Sequence, residues 1–310
     1  MGYNNIVLHV SIIIVDYNSH RDTRECLLSL DKIKAKGFKW NAIIIDNGSK
    51  EPLVLPPNLI NNNFELIRSS SNLGFTGGNN MGIYHSIEKY NSDYVVLLNN
   101  DTVVDPHFLQ ALFECIEENP KYGIVGSKIY FYQGNEFHQN SYKKDQLGQV
   151  LWYAGGSIDW QHLAAFHRGV DEVDRGQFDQ QKTSDFATGC SLIIGREILE
   201  KVGTLDKRYF LYLEDVDLSM RARKAGYEIG FCPESKVWHK NASSSGGSGS
   251  TIHDYYQARN RLLFAATHGD WQAWLAAIRL AWQDFLSGNE KKRQGVLHAL
   301  TNQFGKQPVV

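Results

Sequence analysis

The chain has 310 residues, 42% hydrophobic and 21% charged, values that bury a sizeable core and exclude a disordered or fibrous protein. Its formal net charge of -2 supplies no basic field for a nucleic acid. The four cysteines, Cys26, Cys115, Cys190 and Cys232, are too scattered for a zinc motif or a disulfide framework, so a reducing compartment is expected.

In chain order, the N-terminus lacks the basic segment and cleavage site of a signal peptide. No apolar run reaches the roughly eighteen residues of a membrane span. The expectation is a soluble, cytoplasmic protein that at most rests on the inner face of the cell membrane. Val10–Val15 reads as a buried strand, and Arg21–Ile33 as a helix with Cys26, Leu27, Leu30 and Ile33 on one side. Ala42–Ile45 and Phe64–Arg68 are further strands. Residues 77–90 read as a helix entered through glycines, and Tyr94–Leu98 as the next strand. Continuous apolar strands between helices predict an α/β fold with a parallel sheet covered on both faces.

Three of these strands run into polar clusters: Asp16, Tyr17 and Asn18; Asp46, Asn47 and Ser49; Asn99, Asn100 and Asp101. Each alone is an ordinary turn. In a parallel sheet the three ends lie side by side, and ligands bind beyond the carboxyl ends of strands. Together they form an acidic, amide-rich rim suited to a nucleotide and a divalent cation.

The stretch 128–185 is less regular and aromatic. Gly189–Ile194 reads as a strand and Arg196–Val202 as a short helix. "EDVDLSMRARKAG" (214–226) is a helix with acids in its first turn, bases in its last and Gly226 beyond its end. Tyr227–Cys232 is a strand stopped by Pro233, 243–250 is a Gly/Ser-rich loop, and the chain is helical from His253. Trp271, Trp274, Leu275, Ile278, Trp282 and Phe285 form an amphipathic stripe. We read it as packing on the rest of the chain or on a homodimer partner, ahead of a peripheral membrane contact.

The ordered motifs "VDYN", "IDNGS", "NLGFTGGNN", "LLNNDT", "GCSLIIGREI", "YFLYLEDVDLSMRARKAGY", "VWHKNASSSGG" and "YYQARNRL" resemble an inverting family-two glycosyltransferase with the GT-A fold, over about residues 10–264. Within that family, "NLGFTGGNN", "YAGGSIDW" and "YYQARNRL" are most similar to the bacterial rhamnosyltransferase branch. The resemblance implies a mostly parallel sheet flanked by helices. It implies a catalytic domain at 1–264, with a nucleotide-sugar half to about 127 and an acceptor half at 128–264. A helical extension follows at 265–310.

The resemblance also implies roles. Asp101 is the main carboxylate for Mg²⁺ or Mn²⁺ against the donor diphosphate, a hard cation on oxygen ligands. Asn99 stands where the family has the first Asp of an Asp-x-Asp motif, with Asn100 between, which leaves strict metal dependence open. His239 reaches the metal or diphosphate. Asp46 meets the base or ribose, Tyr17 stacks or contacts the nucleotide, and Asp16 is a weaker member. Asn72 and Gly74, with Gly77 and Gly78, lie on the donor side, where a helix N-terminus attracts phosphate. Arg68 is a weaker donor contact. Arg259, positioned by Asn260, faces the diphosphate.

Asp215 matches the base that takes the acceptor proton, and Glu214 orients the base or acceptor. A first-turn position in a helix is expected to keep Asp215 ionised. Trp152, Tyr153, Trp160, Phe186 and Tyr212 are candidate acceptor-side aromatics. The 243–250 loop is a candidate lid.

The implied reaction moves L-rhamnose from dTDP-rhamnose to a hydroxyl of a bacterial surface polysaccharide or lipid-linked glycan. Three alternatives stay open: a UDP-hexose donor, a nucleotidyltransferase, and a non-catalytic glycan-binding scaffold. The acceptor, linkage, metal and oligomeric state are open as well.

Overall fold

A computed structural model describes residues 7–59, 63–180, 183–241 and 250–308. The first elements are β1 (His9–Asp16), α1 (His20–Leu30), β2 (Lys39–Asp46), β3 (Phe64–Arg68), α2 (Gly74–Tyr90) and β4 (Tyr94–Leu98). Then come β5 (Thr102–Val104), α3 (Phe108–Glu118), β6 (Tyr122–Phe131), β7 (Leu151–Tyr153), β8 (Gly156–Asp159), β9 (Ala164–His167) and β10 (Thr183–Ser184). The chain continues through β11 (Ser191–Gly195), α4 (Arg196–Val202), α5 (Glu214–Lys224) and β12 (Glu228–His239). It closes with α6 (Thr251–His268), α7 (Trp271–Ser287) and α8 (Glu290–Leu300).

The main sheet runs β10-β12-β6-β11-β4-β1-β2-β3, with β5 paired to β12 and β7 to β6. Its first half is parallel: β1 pairs with β2 and β4, and β2 with β3. Alternate strand residues feed two apolar layers. Ile12, Ile14 and Ile44 join Cys26 and Leu27 of α1, while Ile13, Ile43 and Ile45 join Ile83 of α2. That double burial is why these strands read as unbroken apolar runs.

Beyond β4 the pairing is mixed. β11 runs antiparallel to both β4 and β6, whereas β12 runs parallel to β6 and antiparallel to β5. The parallel pairing is therefore concentrated in β1–β4, with one further parallel pair between β12 and β6, and the sheet as a whole is mixed. Antiparallel β11 sets Ser191 opposite Leu98, so the start of one strand meets the carboxyl end of the other. β12 does not stop at Pro233. Its register slips between Cys232 and Lys236, and the strand resumes to His239. A bulge accommodates a residue that lacks an N–H.

α2 begins at Gly74, earlier than its glycines suggested. A Cβ on Gly82 would lie 2.3 Å from the Ile13 side chain, and one on Gly78 2.7 Å from Val15. These two glycines let the helix lie close on β1. α6 runs from Thr251 to His268 across the expected boundary at 264. The stripe on α7 is also turned around. Ala273, Ala276 and Ala277 are its buried side, and the large apolar residues face outward. The expected packing of the tryptophans on the rest of the chain is corrected accordingly. Among the described residues no helix is long and apolar enough to cross a membrane. The candidate lid at 243–250 lies outside the described residues except for Ser250.

Candidate active site

The polar strand ends form one network. The buried Asp16 carboxylate accepts from Thr23 Oγ1 at 2.5 Å and from Ser49 Oγ at 3.2 Å. It also meets His20 Nδ1 at 2.7 Å and Asn100 Nδ2 at 3.4 Å. Asn100 donates to Thr23 Oγ1 at 2.9 Å as well, so its amide serves this hub. Asp46 aligns with Asp16 across β1 and β2. It accepts from the N–H of Ser49 (3.0 Å) and Leu53 (3.1 Å) and sits 3.3 Å from Arg68 Nη1. Tyr17 is half-buried on this rim. Asn72 Oδ1 accepts from Gly74 N at 2.8 Å, and Asn47 joins the start of α2 through Leu73 N at 2.9 Å and Gly74 O at 3.0 Å. Asn72 and Asp46 thus shape the loops of this rim, and the Thr76 N–H of α2 is taken by Phe210 O at 3.3 Å.

The β5–β12 register places His239 opposite Thr102. His239 Nε2 consequently lies 3.1 Å from Asp101 Oδ1, both side chains almost fully buried. Burial opposes protonation of His239, but its neighbours Cys190 and Asp101 hold it well above the ordinary histidine value. Asp101 is the effective cause, because burial pushes the Cys190 pKa up and keeps it a thiol. Among the described residues His239 Nδ1 has no hydrogen-bond partner, and no three His, Cys, Asp or Glu side chains cluster as a complete metal site. One carboxylate and one imidazole fit a hard cation that completes its shell with substrate phosphate oxygens. Asn99 is half-buried at the same strand end.

Asp215 lies across a short bridge from this pair. Its Oδ2 accepts from Gly189 N at 2.8 Å, while the next residue, Cys190, accepts from Asn99 N at 2.9 Å. The turn 188–190 therefore couples the end of β4 to the start of α5. Burial raises the Asp215 pKa, and the N–H groups of Gly189 and Val216 offset only part of that. This corrects the expectation that the helix start dominates. Glu214 is more deeply buried, with Oε2 unpartnered among the described residues. Burial, then the neighbouring Asp215 charge, pushes its pKa well above the usual carboxylate value.

The loop before α5 is strained. Phe210, Tyr212 and Leu213 all have positive φ, at 66°, 72° and 68°. Arg259 and Asn260 hold it. Arg259 Nη2 donates to the carbonyls of Arg208 at 2.9 Å and Tyr209 at 2.7 Å. Its Nη1 donates to Gly305 O at 2.6 Å and its Nε to Asn260 Oδ1 at 2.9 Å. Asn260 Nδ2 faces the carbonyls of Tyr209, Leu211 and Tyr212. Arg259 is fully buried, so the expected diphosphate contact is corrected: its donors bind main chain. Gly74 completes the join, since a Cβ there would lie 2.4 Å from the Phe210 ring.

Sequence reasoning assigned no role to Thr188, Gly189 and Cys190, which support Asp215 and the end of β4, although "GCSLIIGREI" contained the last two. Of the expected acceptor-side aromatics, Trp152 packs edge-on to His239 with ring centroids 4.5 Å apart. Tyr153 and Phe186 are core residues, and Tyr212 belongs to the strained loop. Trp160 stacks on Phe264 of α6 and borders a cavity of about 500 Å³ against Leu275, Ala276 and Arg279 of α7. That cavity is lined by none of Asp101, Asp215 and His239.

Residues 59–261, more than half of the chain, match the model of the family described as Glycosyltransferase like family 2. The chain is 24% identical over 310 residues to a low-salt glycan biosynthesis hexosyltransferase of Haloferax volcanii, covering 96% of this chain and 92% of that one. It is 24% identical over 250 residues to an N-acetylglucosaminyl-diphospho-decaprenol L-rhamnosyltransferase of Mycobacterium tuberculosis, covering 77% and 78% of the two chains. Rhamnosyltransferase WbbL of Escherichia coli is 23% identical over 235 residues, covering 74% of this chain and 83% of its own. Among solved structures, GalNAc-T7 with UDP, GalNAc and Mn²⁺ superposes with a TM-score of 0.61 at 15% identity, over 97% of this chain and 59% of that one. The Pyrobaculum calidifontis mannosyltransferase PcManGT with GDP-Man and Mn²⁺ gives 0.53 at 13% identity, over 97% and 76%. The mixed sheet is thus of the GT-A type, and the chain belongs to the glycosyltransferase-like family 2.

Proposed function

We propose that this glycosyltransferase moves L-rhamnose from dTDP-rhamnose to a hydroxyl of a cell-surface polysaccharide or lipid-linked glycan, with inversion, on the cytoplasmic side of the membrane. The observation that carries the reading is the 188–190 bridge, which ties Asp215 to the strand end bearing Asn99 and Asp101. Two rhamnosyltransferase relatives support the donor sugar. A second reading, transfer of another hexose from a UDP-sugar, is favoured by the hexosyltransferase relative that matches 96% of the chain.

In this mechanism Asp215 takes the proton of the acceptor hydroxyl as that oxygen attacks the anomeric carbon. Its raised pKa strengthens the carboxylate as a base. Glu214, whose buried carboxyl holds its proton more tightly than an ordinary Glu, sits beside Asp215 to orient the base or the acceptor. Asp101 and His239 would hold Mg²⁺ or Mn²⁺, which supplies charge stabilisation to the leaving nucleoside diphosphate. Tyr17, Asp46, Asn72, Gly74, Asn99 and Asn100 shape the nucleotide side, the last through Asp16 and Thr23. Arg259 leaves the set of donor contacts.

The test is thermal stability with Mg²⁺ or Mn²⁺ and a panel of dTDP, UDP, GDP and their sugars. A ligand that binds only the folded state raises the melting temperature. A metal-dependent rise with dTDP-rhamnose supports the first reading, and a rise with UDP species alone supports the second. No rise with any nucleotide sinks both.

A further inference from the structure

We propose that α7 is a lipid-docking helix that lies flat in the headgroup region of an anionic bilayer. Trp271, Trp274, Leu275, Ile278, Trp282 and Phe285 are each 41–69% exposed, and they recur at helical spacing along one side. The helix is fixed in this orientation. Asp270 caps its start by accepting from Gln272 N and Ala273 N at 3.0 and 2.9 Å. Arg279 Nη2 donates to Gln161 O at 2.8 Å, Asp284 pairs with Arg261, and the buried alanines pack against Ala265 and Leu163. The outward stripe covers on the order of several hundred Å², more than the scattered apolar exposure of an ordinary monomer.

The occupant follows from charge and side-chain type. Asp284 is the sole carboxylate on α7 and is held by Arg261. Lys291, Lys292 and Arg293 follow Glu290 in the first turn of α8; Lys292 lies 3.8 Å from Asp254, and Arg293 reaches back to Leu286 O at 3.3 Å. That places positive charge at one end of the stripe. In a two-fold contact between copies the same patch faces itself, so the net positive charge of this run meets its own like charge. An anionic membrane surface supplies the counter-charge. Three tryptophans, each an apolar ring with one N–H, suit the boundary between headgroups and acyl chains. At 17 residues α7 is about 25 Å long and lies in the surface plane instead of spanning it.

The test uses the full chain with phosphatidylcholine vesicles, with and without about 30% phosphatidylglycerol, read by flotation and tryptophan emission. The chain is expected to float with the anionic vesicles, less so as salt rises. Trp274→Ser with Trp282→Ser should lower the partition coefficient about tenfold or more at an unchanged melting temperature. Should that variant fold poorly, Lys291→Glu with Lys292→Glu leaves the stripe intact and should lower partition into anionic vesicles. Absence of flotation overturns the proposal, as does flotation unaltered in every folded variant. A dimer in light scattering that the tryptophan variant dissolves, without flotation, assigns the stripe to a second copy instead.

Discussion

Asn260 Nδ2 donates to the Tyr212 carbonyl across 2.9 Å, two residues ahead of Glu214. The same nitrogen faces Leu211 O at 2.8 Å and Tyr209 O at 3.1 Å. An amide has two N–H donors, so it shares them among three carbonyls. Those carbonyls belong to a loop with three non-glycine residues at positive φ, each costing about 1–3 kcal/mol. Asn260 therefore holds the strain that aims α5 at the turn 188–190. Asn260→Ala should lower stability by about 2 kcal/mol, through unsatisfied carbonyls, and reduce kcat more than it changes the donor KM. Denaturant unfolding and steady-state kinetics check both. An unchanged kcat would uncouple the loop from the base.

Asp215→Asn keeps a side chain of the same shape beside Gly189 N but removes the base. Turnover should fall by at least about a hundredfold with donor binding retained. The wild-type rate should drop as pH falls through the Asp215 pKa, because only the carboxylate accepts the proton. Since burial raises that pKa, the acid limb of kcat should lie above the ordinary Asp range. A pH–rate profile settles the matter, and a limb at ordinary Asp values would move the base elsewhere.

Glu214 yields a stability prediction of definite sign. Its folded pKa is raised, so between the unfolded value and the folded one the native state binds more protons. Stability from this group is complete below the unfolded pKa and declines as pH rises toward the folded pKa. Glu214→Gln removes the ionisation but keeps a neutral, similar shape. The melting-temperature difference, variant minus wild type, should therefore grow more positive from pH 5 to pH 8. A flat or falling difference would mean that Glu214 is charged in the native state.

Much of this site was written in local sequence. Apolar runs ending in Asp16, Asp46 and Asn99–Asp101 mark the rim because parallel strands bring like ends to one edge. The Asp101–His239 contact was not legible, since it depends on a register between β5 and β12 that no local pattern encodes. Pro233 misled because a bulge let the strand pass it. Arg259 misled because an Arg within the motif reads as a phosphate ligand, whereas its carbonyl partners come from a distant loop and the C-terminal segment. The period of α7 was plain, but period alone does not say which side is buried; small alanines took that role.

The metal side is tested through Asp101. It faces His239 at 3.1 Å with both side chains buried, and Asn99 stands at the other expected carboxylate position. With one carboxylate present, removing it should remove most cation affinity, because a neutral amide and an imidazole supply little charge. Asp101→Ala should therefore weaken metal-dependent binding of the nucleoside diphosphate by about tenfold or more while leaving any metal-independent binding intact. Calorimetry with and without a chelator separates the two. Wild-type binding that ignores the chelator would show that His239 and Asp101 form a plain ion pair. Binding that needs metal but survives Asp101→Ala would place the cation on other groups.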